Sequence, residues 1–216
     1  FGGGWLRVAA PEPGIASFWR SGRLRVEVRL PLDCALHVKT GAAGVRCTGR
    51  YASGEVSSGS GDVAVEHVTG DLALASGSGQ ITVDRAGARL SAKLAAGTAR
   101  IGYAGGDATA YSASGDLEFG RVDGSIRAGT ASGSVRIGAA STGTVRVRTA
   151  SGAVRVGVTR GTRVWLDLNT GGGRTRTDLP VRDMPEGAVT DLTLEVSTAG
   201  GDIDVFAVED ATQRTR

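Results

Sequence analysis

Along most of the chain, apolar residues alternate with small or polar residues in short runs that follow a glycine. Val63 and Val65, for example, lie two and four residues after Gly61. The same arrangement gives the pairs Leu72 and Leu74, Ile81 and Val83, Leu117 and Phe119, Val135 and Ile137, and Val145 and Val147. A period of two is typical of a β-strand with one buried face, and β-branched residues in the inward positions favour strands. No long run has apolar residues at helical spacing, so the pattern predicts an all-β protein.

The glycines that precede these runs are evenly spaced. One series has intervals of 18, 18, 18, 18 and 19 residues and consists of Gly61, Gly79, Gly97, Gly115, Gly133 and Gly152. A second series lies about midway between them and consists of Gly70, Gly106, Gly124, Gly143 and Gly161. A nine-residue strand and turn, used twice, therefore makes a coil of about 18 residues. We expect a single-domain β-solenoid of about six such coils, with two main sheets facing across a narrow core. A third, short face at the corners is compatible with the same spacing.

The inward positions are weakest in the middle of the chain, where alanine replaces larger side chains. Ala99, Ala108 and Ala110 occupy inward positions there. Because small side chains fill less of the core, we expect this part of the solenoid to be thin, or repacked around Ile101 and Tyr103.

The two ends of the chain depart from the nine-residue spacing. Residues 20–50 are predicted to form longer strands that begin the stack, with the alternating residues Leu24, Val26, Val28, Leu30, Leu36 and Val38. A polar loop over 180–187 is predicted to precede two strands built on Leu192, Leu194, Val196, Ile203 and Val205. The predicted organisation is a glycine-rich lead-in over 1–21, a repeat domain over 22–207 and a disordered tail over 208–216.

Charge is unevenly distributed. Residues 85–177 carry fourteen basic and five acidic groups, whereas residues 178–216 carry three basic and nine acidic groups. Six arginines of the basic stretch are predicted to point outward in columns, with Arg100, Arg136 and Arg155 on one sheet, and Arg127, Arg146 and Arg163 on the other. Such columns can hold an anionic polymer. The competing interpretation is an ordinary solvated surface, and the sequence supplies no outward aromatic residues for stacking a single-stranded nucleic acid.

Residues that carry catalysis or bind metals are sparse. His37 and His67 are the only histidines and lie in unrelated segments, so the serines at the turns have no histidine beside them as a base. Cysteine and histidine do not cluster at metal-ligand spacing. Cys34 and Cys47 are expected to be free thiols, although they would pair if adjacent strands aligned them. We therefore expect no enzymatic activity, no cofactor and no metal site.

Nine-residue glycine repeats also occur in calcium-binding β-rolls, whose aspartate lies two residues after a glycine. Here the aspartates directly follow a glycine, at Asp62, Asp71, Asp107, Asp116 and Asp202. The position that a calcium ligand needs holds an inward apolar residue instead, so the register argues against calcium. Because Gly–Asp pairs favour tight turns, we expect each aspartate to bond to its own backbone.

Longer segments carry a resemblance to a known family, among them "SGSGDVAVEHVTGDLAL", "YSASGDLEFGRVDGSI", "TASGAVRVGVTRGTRVWLDLNTGGGRTRT" and "STAGGDIDVF". These segments resemble a bacterial β-strand-repeat family of adhesin-like domains of unknown function, in its actinobacterial branch, over residues 22–207. The resemblance implies a repeat β fold without enzymatic activity and without assigned catalytic residues. Members of that branch often lack an export signal.

These observations predict a non-enzymatic interaction or scaffold protein that binds a protein or a surface polymer through a sheet face or an end. The alternative is binding of nucleic acid or acidic polysaccharide through the six outward arginines. The sequence shows no apolar run long enough to span a membrane and no export signal, which favours the cytoplasm over export. Self-association through the ends or edges of the sheets is a further expectation.

Overall fold

The computed structural model describes residues 26–180 and 190–209, which fall in two compact units, residues 1–30 and residues 31–216. In the first unit, residues 26–30 form no strand, and Val26, Val28 and Leu30 are exposed. The strand predicted there is therefore wrong for these residues, because alternation alone does not supply a neighbouring strand to pair with. Leu24 and the predicted lead-in over 1–21 lie outside the described residues.

The second unit contains eighteen β-strands and no helix among its described residues, and they form two nine-stranded sheets. Sheet I contains β1 (Ala35–Thr40), β3 (Ser53–Ser58), β5 (Leu72–Ser78), β7 (Leu90–Ala96), β9 (Ala108–Ser114), β11 (Ile126–Ser132), β13 (Gly143–Ser151), β15 (Val164–Thr170) and β17 (Leu192–Gly200). Sheet II contains β2 (Val45–Tyr51), β4 (Val63–Val68), β6 (Ile81–Ala86), β8 (Ala99–Ala104), β10 (Leu117–Val122), β12 (Val135–Ala140), β14 (Val154–Thr159), β16 (Thr175–Thr177) and β18 (Ile203–Val208).

Neighbouring strands of each sheet are parallel, and from β1 to β14 they come from successive coils. In sheet II, Leu117 pairs with Ala99 on one side and with Val135 on the other, a step of 18 residues each way. The predicted β-solenoid of about 18-residue coils is thus confirmed. The predicted strands around Leu36, Leu192 and Ile203 are also present, and β18 ends at Val208, one residue beyond the predicted end of the repeat domain. Residues 181–187 of the predicted loop and 210–216 of the predicted tail lie outside the described residues.

A single apolar core lies between the two sheets and is built from the inward positions of both. Ala99, Ala108 and Ala110 are all fully buried there, as their spacing predicted. Ile101 points inward and is buried, but the expectation that Tyr103 helps to fill the core is wrong, because Tyr103 is only partly buried and its hydroxyl donates to Asp123 at 3.0 Å.

Phe119 is instead the largest fully buried side chain of the described residues. It belongs to the coil formed by β9 and β10, the same coil that contributes Ala108 and Ala110 to sheet I. A large side chain on one sheet therefore shares a coil with small side chains on the other. This combination keeps the core filled where the alanines alone would leave it thin.

The strands of sheet II do not keep a strict period of two. In β4, Val63, Val65 and Val68 are buried, so the inward spacing is two residues and then three. The additional outward residue is a glycine in several successive strands, and Gly138 shows why: a Cβ there would lie 2.5 Å from the carbonyl oxygen of Gly120 on the neighbouring coil. The coils approach each other too closely at this point for a side chain, unless the backbone shifts.

The coils at the C-terminal end do not stack in chain order. The order in sheet I is β13, β17, β15, and in sheet II it is β14, β18, β16. The coil of β17 and β18 therefore lies between the coil of β13 and β14 and the outermost coil of β15 and β16. In chain order, the outermost coil of β15 and β16 therefore comes before the coil of β17 and β18 that lies beneath it.

Candidate functional site

The aspartates that follow glycine join one coil to the next. Each accepts a hydrogen bond from a backbone N–H of a neighbouring coil rather than from its own turn, with the contacts Asp62 to Gln80 (2.8 Å), Asp71 to Arg89 (3.3 Å), Asp107 to Ser125 (3.3 Å), Asp116 to Ser134 (2.8 Å) and Asp202 to Arg174 (2.9 Å). The expectation of a bond within the turn is therefore wrong. The side chain reaches across because the strand turns at the corner, and the N–H of the neighbouring coil would otherwise lack a partner.

This contact accounts for the electrostatics of Asp116. The backbone N–H of Ser134 and then its hydroxyl lower the pKa of the Asp116 carboxyl, because both bonds favour the charged form. Within 26–180 and 190–209, no group of three or more histidine, cysteine, aspartate or glutamate residues is arranged to hold a metal ion. The hydrogen bonds of the Gly–Asp pairs join neighbouring coils.

The two histidines lie on different strands, and the two cysteines form no disulfide. His37 points outward on β1, with Nδ1 3.3 Å from a carboxylate oxygen of Glu55, and His67 is half-buried on β4. Both thiols are free, as expected, and Cys47 is buried whereas Cys34 is only partly so. Burial raises the pKa of the Cys47 thiol to about 11.

The six arginines predicted as columns divide between the two outer faces. Arg100, Arg136 and Arg155 occupy one outward column of sheet II, with Glu118 between the first two. Arg127 and Arg146 are paired neighbours on the outer face of sheet I, and Arg163 directly precedes β15 of that sheet. The structure therefore places Arg100, Arg136 and Arg155 in one column and Arg127 with Arg146 in another, whereas Arg163 lies outside the second column, whose position on β15 is held by Asp167.

Four of the six arginines have an acidic partner. The distances are 2.9 Å from Arg100 to Glu118, 2.7 Å from Arg146 to Glu195, 3.4 Å from Arg155 to Asp204 and 2.9 Å from Arg163 to Asp191. Three of these partners come from the acidic C-terminal segment, which the inserted coil places beside the basic coils. The hydrogen bonds from Arg146 and Arg163 lower the pKa values of Glu195 and Asp191.

Three arginines, Arg136, Arg155 and Arg176, lie near one another towards the β16 edge of sheet II. There a cleft of about 900 Å³, which we call the arginine cleft, is lined by Arg136, Arg155, Thr175, Arg176, Thr177, Asp178, Asp204, Val205 and Phe206. Four of its five charged residues stand in one column, because Arg136 pairs with Arg155, Arg155 with Asp204, and Asp204 with Arg176, whereas Asp178 follows the end of β16. The cleft is therefore a product of the coil order, which places β18 between β14 and β16.

Two cations of the cleft, Arg136 and Arg176, form no ion pair with the described residues, although Arg136 acts electrostatically on Asp116. Among the residues that the structure describes, no carboxylate lies within ion-pair distance of Arg136 or Arg176, whereas Arg155 is paired with Asp204. Both Arg136 and Arg176 are exposed, and half-buried Phe206 supplies an apolar surface beside them. The arrangement can bind an anion without first breaking an ion pair at these two positions.

Sequence reasoning missed Arg176 and Phe206. The expectation of no outward aromatic residues is also wrong, because Tyr111 and Trp165 are exposed on sheet I and Phe206 lines the outer face of sheet II. Arg176 lies in "GGGRTRT", which has the right alternation but follows the glycine repeat out of step, and Phe206 lies in the closing strand. The only signal that could have found Arg176 is its place between Thr175 and Thr177, the alternation of a strand with an outward arginine. Its position beside Asp204 depends on a coil order that the sequence does not reveal.

The model of the Toastrack family, a domain of unknown function (DUF4097), matches residues 21–215, so the chain belongs to the Toastrack family. Neither a curated protein nor a solved structure matches the chain. In the described parts of the chain, no helix has the length and apolar character needed to cross a membrane.

Proposed function

We propose that this Toastrack domain is a rigid, non-enzymatic interaction module with an adhesin-like role, which binds a protein or a surface polymer along the outer face of sheet II. The observation that carries the proposal is the arginine cleft, an open concavity on a regular parallel sheet with two arginines that form no ion pair with the described residues. Interaction sites are typically concave and combine apolar surface with a few polar groups of defined position.

The regularity of the stack supports a scaffold role. Each interior strand of sheet II is hydrogen-bonded on both sides, and the aspartates add contacts between coils at the corners. Outward side chains are thereby held at fixed separations of about 4.8 Å from one coil to the next. A partner meets a surface whose geometry is set before binding, which reduces the entropy lost on association.

Site-specific photo-crosslinking in the native cells tests the proposal with a matched pair of positions. Ala139 on sheet II and Ala131 on sheet I are outward residues of the same coil, so a photoreactive residue at either samples opposite faces at one height. We expect a crosslinked product of one discrete mass from position 139 and none from position 131. Equal products from both positions, or none from either, would contradict a binding face on sheet II.

The second candidate function is polyanion binding, and it is favoured over an ordinary solvated surface by Arg136 and Arg176, which form no ion pair with the described residues of the cleft. Retention on heparin and on DNA, measured against salt, tests it. We expect Arg136→Ser with Arg155→Ser to elute at lower salt than the parent, whereas Arg127→Ser with Arg146→Ser on sheet I should elute nearly with the parent. Co-elution of all three proteins would remove this candidate.

A further inference from the structure

We infer that the arginine cleft binds a carboxylate-bearing polysaccharide. The inference rests on the proposed function and deepens it, because it assigns the ligand class and adds Arg176 and Phe206 to the binding residues. It is argued from the cations, the acceptors and the shape of the cleft.

The cations are placed to meet successive charges of a linear chain. Arg136 and Arg176 lie three coils apart in one column, a distance of about 14 Å at the usual spacing of parallel strands. Arginine offers a planar fork of donors that matches a carboxylate in a bidentate way. A polymer lying along the solenoid axis therefore meets, at each end of the cleft, one guanidinium that forms no ion pair with the described residues.

The rest of the lining suits a sugar chain. Asp178 and Asp204 provide acceptors for sugar hydroxyl groups, and Thr175 and Thr177 provide hydroxyl groups of their own. Phe206 offers an apolar ring against which the carbon-bearing face of a sugar can pack. A site with donors, acceptors and one aromatic ring is suited to a ligand that is rich in hydroxyl groups and moderately charged.

A nucleic acid fits the same surface less well. The cleft contains three arginines and two aspartates, a net charge of only +1, whereas binding of nucleic acid depends mainly on a large excess of cations that neutralises successive phosphates. Binding of a single strand also depends on successive aromatic platforms. Among the described residues of sheet II, the other outward aromatic ring is that of Tyr103, which is covered by Arg85, whose Cζ lies 4.6 Å from the ring centroid, and its hydroxyl donates to Asp123.

Calorimetric titration of the full chain with defined oligomers tests the inference. The probes are an oligogalacturonate, a cello-oligosaccharide of the same length as its uncharged counterpart, and an oligothymidylate as the nucleic acid. We expect the oligogalacturonate to bind, with an affinity that falls as salt is raised, and the other two to bind at least about tenfold more weakly.

The matched variants replace exposed arginines on opposite faces. Arg136→Ser with Arg176→Ser should weaken oligogalacturonate binding by about tenfold or more, whereas Arg127→Ser with Arg148→Ser on sheet I should leave it unchanged. All four side chains are exposed, so unchanged melting temperatures would show that the variants remain folded. Equal affinities of the two variants, equal binding of the uncharged oligomer, or tighter binding of the oligothymidylate would overturn the inference.

The two proposals fail in different ways. If position 139 still forms its crosslinked product while the oligogalacturonate does not bind, only the ligand class is wrong. If position 139 gives no product and the oligogalacturonate does not bind, the binding face on sheet II is itself wrong.

Discussion

Replacing Val135 by aspartate tests the inward direction of alternate residues. Val135 is fully buried in β12, between Leu117 and Val154 of the adjacent coils, which are fully buried as well. Removing the valine forfeits about 1.5–3 kcal/mol of burial. A carboxyl group in such surroundings must remain uncharged, and a pKa raised by about three units corresponds to roughly a further 4 kcal/mol at neutral pH.

The expected total of roughly 5–7 kcal/mol is comparable with the whole stability of many domains. The neighbouring Arg136→Asp, which changes an outward side chain on the same strand, should cost under about 1 kcal/mol. Thermal unfolding followed by circular dichroism compares the two variants with the parent. Similar losses of melting temperature for both variants would refute the assignment of Val135 to the core.

The pH dependence gives a second test of the same substitution. A carboxyl whose pKa is higher in the folded than in the unfolded protein destabilises the fold only above its unfolded pKa, near 4. The difference in melting temperature between Val135→Asp and the parent should therefore shrink as the pH falls from 7 towards 4, and should change little below 4. A difference that stays constant between pH 7 and pH 3.5 would show that the carboxylate is not buried.

Further predictions concern the thiols, the corners and the glycines. Cys34 should react with a maleimide in the folded protein, while Cys47 should react only after denaturation. Because burial raises the pKa of the Cys47 thiol to about 11, the free energy of unfolding should fall as the pH rises from about 9 towards that value. Asp116→Ala should cost about 1 kcal/mol in urea unfolding, a difference that disappears as the pH falls through the lowered pKa of this carboxyl. Gly138→Ala should lower the melting temperature, whereas Gly41→Ala, where a Cβ meets no atom within 4 Å, should not.

Much of the fold follows from local pattern. The alternation places Val135 and Ile137 in the core, and the 18-residue interval between glycines predicts which strands are neighbours from β3 to β12. Both features can be recognised in a single sequence, because the alternation spans only a few residues and the glycines recur at a fixed interval. The same local reasoning failed at Val26 and Val28, where the alternation is present but no strand forms.

The candidate site could be predicted only in part, because it depends on the order of coils. A strict stack in chain order would place β15 directly on β13 and leave Arg146 beside Asp167, at the same column position. The inserted coil instead places Glu195 beside Arg146 and Asp204 beside Arg155. Outward positions were therefore predictable, whereas their ion pairs and the arginine cleft were not.

The most direct test of the account is the deletion of one whole coil compared with the deletion of half a coil. Removing residues 99–116 deletes β8 and β9 together, an 18-residue interval, so Leu117 can take the place of Ala99 on Ile81 and every later strand keeps its sheet. Removing only residues 108–116 joins two sheet II strands in succession and reverses the sheet of every strand that follows. We expect the first variant to retain a β-sheet circular dichroism spectrum and cooperative unfolding, and the second to lose both. Equal behaviour of the two deletions would contradict the stacking of 18-residue coils in register.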